Sequence, residues 1–240
     1  MTRQWFESWF GEEYIALYPH RDAAEAERAV DLIARNVPAG HVSRVLDLAC
    51  GGGRHASLLS RHWRTIGLDL SAVLLRLAKG EAPEARFVRG DMRVLPFRPD
   101  AFSLVVNLFT SFGYFEEDAS HERVVREVAR VIEPGGTFVL DFLNTERIRQ
   151  TLVAYDERRI GDQVVEQRRE ISDDGRFVIK RICVRNSNRE YAERVRLFDK
   201  QELMGMFDAS GFRVAKSFGN YDGSPATAEA PRVILFGTRQ

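Results

Sequence analysis

The sequence predicts an α/β domain with a mostly parallel sheet covered on both faces, an aromatic N-terminal cover and a small antiparallel β insertion. Three observations predict it. Between residues 42 and 142, short apolar runs alternate with polar stretches of helical spacing, the texture of buried strands linked by crossover helices. Beyond residue 142 this gives way to polar–apolar alternation broken by turn residues, as in a meander with one wet face. Finally, one apolar run passes directly into three glycines and then a helical stretch, from Val45 to Arg54.

The first forty residues hold an aromatic head (Trp5, Phe6, Trp9, Phe10, Tyr14, Tyr18) and then a helix over 22–36. Asp22 and Glu25 stand in capping-box spacing, and Ala26, Ala29, Val30 and Ile33 share one face of that helix. Strands are expected at 45–48, 65–69, 86–88, 102–109 and 137–142, with helices at 54–63, 72–79 and 119–132. The helix at 119–132 spaces Val124, Val125, Val128, Val131 and Ile132 for burial, and Pro134-Gly135-Gly136 turns it into the fifth strand. The insertion reads as three strands, 164–171, 177–185 and 191–198, joined at Asp173-Asp174-Gly175 and Asn186-Ser187-Asn188. A helix over 199–210, capped by Asp199 and stopped by Gly211, precedes two closing strands at 212–218 and 233–237. This divides the chain into a helical cover (1–40), a core (41–150 and 199–240) and an inserted sheet (151–198).

Composition excludes several function classes. Lys+Arg and Asp+Glu both number 35, so the zero formal charge argues against a nucleic-acid footprint. The only lysines are Lys79, Lys180, Lys200 and Lys216, which leaves few candidates for Schiff-base chemistry. No apolar run approaches the ~20 residues of a membrane span. The aromatic, acidic start does not read as a signal peptide, so the default compartment is the cytoplasm. Cys50 and Cys183 make neither a disulfide framework nor a metal-ligand pattern, and no metal is expected.

Chemistry concentrates at Val45-Leu46-Asp47-Leu48-Ala49-Cys50-Gly51-Gly52-Gly53. Glycine there permits a tight turn and close approach of a ligand to the main chain. The following helix presents free N–H groups and its positive dipole end. Asp69, in Gly67-Leu68-Asp69-Leu70-Ser71, ends the second strand at about the 20-residue spacing from which a carboxylate accepts both hydroxyls of a ribose. The competing role is a helix N-cap, which Ser71 can fill instead. Asp91-Met92 ends the third strand, where a carboxylate and an apolar side chain suit an adenine amino group and ring face; the plainer reading is a solvated turn.

With Pro134-Gly135-Gly136, these motifs fall in an order that resembles class I S-adenosylmethionine-dependent methyltransferases, over about residues 42 to 144. The resemblance implies a Rossmann-like doubly wound sheet of seven strands with an antiparallel last strand, supplied by the C-terminal pair. It also implies S-adenosylmethionine as cofactor, bound by Asp47, Ala49, Gly51, Gly53, Asp69, Leu70, Asp91, Met92 and Leu108. The methionine part would cross Gly51 and Gly53, Asp69 would hold the ribose, Asp91 and Met92 would flank the adenine, and residues 107–109 would lie beside the sulfonium. Gly52 stands where relatives often carry Thr or Ser. Tyr14, Tyr18, His20 and Arg21 are placed to close over the cofactor, Arg21 pairing its carboxylate; core packing of the tyrosines is the other reading.

The acceptor is expected to be a small molecule, methylated at N or O. No Pro-Pro follows Asn107, unlike the base clamp of amino-methylating nucleic-acid enzymes. Leu108 to Phe115, with the aromatic head and the insertion, is similar to small-molecule methyltransferases such as the N,N-dimethyltransferases of nucleotide-linked amino sugars. Tyr114 is the candidate catalytic group, against an aromatic packing role, and His121 reads better as a solvated surface histidine. Two alternatives stand beside this. One is a cofactor-binding protein without turnover. The other is an NAD-dependent oxidoreductase, since Gly51-x-Gly53-x-x-Ala56 also fits the dinucleotide fingerprint, although no Tyr-x-x-x-Lys pair accompanies it. The insertion comes after strand five and so is placed to cover the acceptor or to join two subunits of a homodimer.

Overall fold

A computed structural model describes residues 4–18, 23–38, 40–185 and 189–240. The N-terminal cover holds α1 (Trp5–Trp9), α2 (Glu12–Leu17) and α3 (Ala23–Asn36). The first half of the core comprises β1 (Arg44–Leu48), α4 (Arg54–Ser60), β2 (Arg64–Asp69), α5 (Ala72–Glu81), β3 (Arg86–Arg89), β4 (Phe102–Asn107), α6 (Asp118–Val131) and β5 (Ile132–Leu143). After α7 (Thr145–Thr151) the insertion contains β6 (Tyr155–Ile160), β7 (Gln163–Ile171), β8 (Phe177–Val184) and β9 (Arg189–Arg196). The chain closes with α8 (Lys200–Ala209), β10 (Phe212–Phe218) and β11 (Arg232–Arg239).

Seven strands form the main sheet in the order β10-β11-β5-β4-β1-β2-β3. β1 pairs in parallel with β2 and β4, and β2 with β3 and β4 with β5 do the same. Only β11 opposes its neighbours β5 and β10. The doubly wound sheet with an antiparallel last strand is therefore present. Strand alternation explains why both faces are covered. Val45, Leu104, Val106, Val139, Ile234 and Phe236 cluster with Ala26, Ala29, Val30 and Ile33 of α3 and Leu58 and Leu59 of α4. Leu46, Leu48, Val105, Phe138, Leu140 and Leu235 cluster instead with Val124 and Val128 of α6 and Leu203 and Phe207 of α8. Because successive strand residues point to opposite faces, an unbroken apolar run serves two cores at once.

Local signals account for most boundaries. Asp199 caps α8 as expected, and the structure adds Glu202, which completes a capping box with it. Helix α6 stops at Val131, because Ile132 is already extended and β5 begins there. Pro134-Gly135-Gly136 is accommodated as an irregularity in β5, where the register with β4 jumps from Phe102↔Ile132 to Leu104↔Thr137. The expected cap Asp22 and the turn Asn186-Ser187-Asn188 lie outside the described residues.

Two elements depart from expectation. The inserted sheet has four strands, in the order β6-β7-β8-β9, where the alternation implies three. Strand β6 (YDERRI) is a mostly exposed edge strand with little to bury, so it carries no alternation. It is joined to β7 through Gly161, whose φ of 58° suits a two-residue hairpin. Helix α7 is short and is announced only by its cap, Asn144, whose side chain accepts from the Glu146 N–H. Among the described residues no helix is long and apolar enough to cross a membrane.

The aromatic head packs between the insertion and the core. Trp9, Tyr14 and Leu17 cluster with Val165, Ile182 and Val184 of the inserted sheet and with Leu74 of α5. Trp9 Nε1 donates to Glu193 (2.9 Å), and Ser71 Oγ, at the start of α5, donates to the Phe10 carbonyl (2.5 Å).

Candidate active site

The sheet order reverses between β1 and β4, the place where open α/β sheets leave a crevice at their carboxyl ends. The backbone is strained at this point. Among the described residues, four non-glycine residues have positive φ, and three of them lie here: Ala49 (60°) after β1, and Phe109 (60°) and Thr110 (58°) after β4. A left-handed conformation costs about 1–2 kcal/mol per residue, so the surrounding contacts must enforce it. The apolar run predicts that β4 reaches Phe109; the strand ends at Asn107 because the chain turns into these two residues.

The glycine turn is built as the sequence implies. Gly51 has φ 55° and Gly53 φ 87°, and Gly53 precedes α4. A Cβ on Gly53 would stand 2.9 Å from the Cα and Cβ of Ala78 in α5, whereas one on Gly52 would meet nothing within 4 Å. Gly53 thus brings two helices together, and Gly52 borders open space. Asp69 ties the turn to the tip of β2. Its Oδ2 accepts from Gly51 N–H (2.9 Å) and its Oδ1 from Ser71 N–H (2.8 Å). Ser71 takes the N-cap of α5, its side chain accepting from the Leu74 N–H, so Asp69 does not serve as that cap. Burial pushes the Asp69 pKa up, and the N–H groups of Ser71 and Gly51 oppose that shift.

Asp47 is 1% exposed, and burial, then the neighbouring Asp69, push its pKa up to about 7. Arg54 and the Ala56 N–H act in the opposite sense. Its Oδ2 is buried without a hydrogen-bond partner, and so is Oδ1 of Asn107, whose Nδ2 donates to the Leu48 carbonyl (2.8 Å). Two orphaned acceptors at the ends of β1 and β4 need a donor to satisfy them. Arg54, not anticipated as a site residue, opens α4 and lies over the Phe109 ring, 4.9 Å from its centroid.

The remaining expected residues divide. Leu70 and Met92 pack, half-buried, against one core cluster, while Leu108 is buried in the other. Asp91 is engaged by Arg93, whose backbone N–H and guanidinium both donate to the carboxylate. Tyr14 is buried. Tyr114 stands in an aromatic cluster, 5.0 Å from Trp5 and stacked at 5.6 Å on Phe10. Arg21 and His20 lie outside the described residues. Three residues that the sequence did not single out, Asp141, Tyr221 and Arg232, join in one buried network at the end of β5. Asp141 alone left a trace, as an acid within an apolar strand.

His121 corrects its reading as a surface residue. It is 0% exposed, packs among Phe112, Phe115 and Phe198, and accepts from the Phe115 N–H through Nε2 (3.3 Å). The face of α6 carrying Val124, Val125 and Val128 turns it inward, and burial lowers its pKa from 6.5 to about 4. The folded protein therefore leaves His121 neutral where the unfolded chain protonates it. Stability is full above about pH 6.5 and falls as pH drops through that window toward 4. The wild type should lose about 2 kcal/mol more than His121→Leu between about pH 7 and 5 in urea unfolding. A constant difference between the two proteins would place His121 in solvent.

Residues 45–136 match a family described as the methyltransferase domain. The segment is a methyltransferase domain. Over 121 residues the chain is 37% identical to a dTDP-3-amino-3,4,6-trideoxy-alpha-D-glucopyranose N,N-dimethyltransferase of Streptomyces venezuelae, covering 50% of this chain and 49% of that protein. The chain spans about half the length of the curated relatives it matches. Two solved structures share the architecture nearly end to end. The CcbJ methyltransferase from Streptomyces caelestis has a TM-score of 0.83 at 18% identity, covering 97% of this chain and 98% of that one. DesVI of Streptomyces venezuelae has a TM-score of 0.68 at 26% identity, covering 95% and 96%. The glycine turn thus belongs to a methyltransferase domain, and the dinucleotide-oxidoreductase reading of Gly51-x-Gly53-x-x-Ala56 is set aside.

Proposed function

We propose that this chain is an S-adenosylmethionine-dependent methyltransferase acting on a nitrogen of a small-molecule acceptor. The observation that carries the reading is the pair of orphaned acceptors, Asp47 Oδ2 and Asn107 Oδ1, beside the glycine turn of a methyltransferase domain. S-adenosylmethionine fits this donor–acceptor set. Its ammonium supplies the missing donors, the N–H groups at the start of α4 suit its carboxylate, and Asp69 retains lone pairs for the ribose hydroxyls. Asp91, Leu70 and Met92 would meet the adenine, Ala49, Gly51 and Gly53 the methionine part, and Leu108 the neighbourhood of the sulfonium, with Tyr14 and Arg21 closing from the head. The curated relative's action on an amino sugar supports an amine acceptor.

When bound, the cofactor supplies an electrophilic methyl group on a sulfonium. An acceptor amine would have to arrive neutral, since a protonated amine offers no lone pair to that methyl group. The residues of this chain supply position and dryness rather than strong acid–base chemistry. Trp5, Phe10 and Tyr114 would form the acceptor wall, with head and insertion together as its cover, while homodimerisation through the insertion is the alternative use of that sheet.

The titration of Asp47 yields a test. A cationic ammonium favours the ionised carboxylate, so binding should release a proton wherever free Asp47 is protonated. Affinity should be retained above about pH 7 and weaken about tenfold per pH unit below it, as the pKa of about 7 requires. Calorimetry of S-adenosylmethionine binding near pH 6, in buffers of different ionisation enthalpy, reads this release; Asp47→Asn should abolish it. Formation of S-adenosylhomocysteine with a panel of small amines and hydroxyls tests turnover. Tight binding with no product from any acceptor would favour a binding protein without turnover.

A further inference from the structure

We infer that Asp141, Arg232 and Tyr221 are positioning residues that hold the exit of β4 in its strained conformation and thereby set the geometry of methyl transfer. The second half of this inference rests on the function proposed above. None of the three lies in the matched segment 45–136. Asp141 lies near the end of β5 at 0% exposure, between β4 on one side and β11 on the other. Both left-handed residues donate their N–H groups to it: Phe109 to the carboxylate Oδ2 (2.7 Å) and Thr110 to the backbone carbonyl (3.1 Å).

The carboxylate is itself fixed from the C-terminal part of the chain. Tyr221, in the β10–β11 connection, donates its hydroxyl to Oδ2 (2.5 Å). Arg232, the first residue of β11, donates from Nε to Oδ1 and from Nη2 to Oδ2 (2.9 Å). The same guanidinium lies 5.4 Å from the Phe109 ring centroid, and its Nη2 reaches Thr110 Oγ1 (3.4 Å). One buried ion pair therefore grips the backbone, the ring and the hydroxyl of the two strained residues.

The grip matters because the next residues of the chain lead to the acceptor wall. Gly113, with φ 95°, accepts from Arg196 N–H of the inserted sheet (2.7 Å), and Tyr114 enters the aromatic cluster with the head. The segment between Asn107 and Tyr114 is thus anchored at one end by Asp141 and at the other by the insertion. A small rotation at Phe109 and Thr110 would swing the acceptor wall relative to the glycine turn. An in-line displacement is sensitive to such a shift, whereas the donor contacts of Asp47, Asn107 and Asp69 stand within β1, β4 and β2, ahead of the two strained residues, and would be spared.

Tyr221→Phe tests this with the least disturbance, because only the hydroxyl is removed. In the unliganded protein, amide hydrogen exchange within residues 107–115 should rise about tenfold, with β1 to β3 unchanged. S-adenosylhomocysteine affinity, by calorimetry, should stay within about threefold. For an amine that the wild type methylates, kcat should fall about tenfold or more with little change in KM. Asp141→Asn, which keeps the shape and loses the charge, should raise exchange in the same segment further. Unchanged exchange at 107–115 in both variants would overturn the clamp, as would an increase spread evenly over the whole sheet. Unchanged kcat with raised exchange would overturn the catalytic half alone. A wild type that neither binds S-adenosylhomocysteine nor methylates any acceptor would overturn the proposed function, while the exchange result would still decide the clamp.

Discussion

Asp69→Ala is expected to weaken S-adenosylmethionine binding by at least about a hundredfold. The carboxylate at the tip of β2 holds Gly51 N–H and Ser71 N–H, and under the proposed function its remaining lone pairs would take the ribose diol. Each hydrogen bond to a charged acceptor is worth about 1.5–3 kcal/mol, and two ribose hydroxyls would be lost together. The glycine turn would also lose its tie to β2. Calorimetry with S-adenosylmethionine reads the effect, and NAD serves as a control ligand that neither protein should bind. Asp69→Asn should fall between the two, since the amide keeps one acceptor. Unchanged donor affinity in Asp69→Ala would remove the ribose from this site.

Gly53→Ala is expected to destabilise the fold by about 2–5 kcal/mol, through left-handed strain added to overpacking. The added methyl would stand 2.9 Å from the Cα and Cβ of Ala78, and a backbone atom cannot be moved aside like the end of a side chain. Helix α5 would have to retreat from α4, and the N–H groups at the start of α4 would move with it. Chemical denaturation should show a lower midpoint, and donor binding should fall at temperatures where the protein remains folded. Gly52→Ala is the matched control: its φ is ordinary and its new methyl meets open space, so stability should change by about 0.5 kcal/mol or less. Equal stabilities for the two variants would mean that α4 and α5 are not packed through Gly53.

What the sequence alone determined was the layered core and the glycine turn with its acid, because both depend on patterns a few residues long. Apolar runs such as Val45 to Leu48 bury both faces of a strand wherever the neighbours lie, and Gly51 and Gly53 adopt positive φ where a non-glycine residue would be strained. Ser71 and Asp199 announce helix starts by chemistry within one turn. Tertiary structure decided the rest, since it depends on partners remote in the chain. Strand β6 owes its place to β7 rather than to any pattern of its own, and His121 is interior because Phe112, Phe115 and Phe198 converge on it. The strain at Phe109 and Thr110 has no local signature, for neither residue favours a left-handed backbone. It is imposed by Asp141, and Asp141 is held by Tyr221 and Arg232, which are 80 and 91 residues further along the chain. The sheet order β11-β5-β4 is what brings the Arg232 guanidinium beside the buried carboxylate of Asp141.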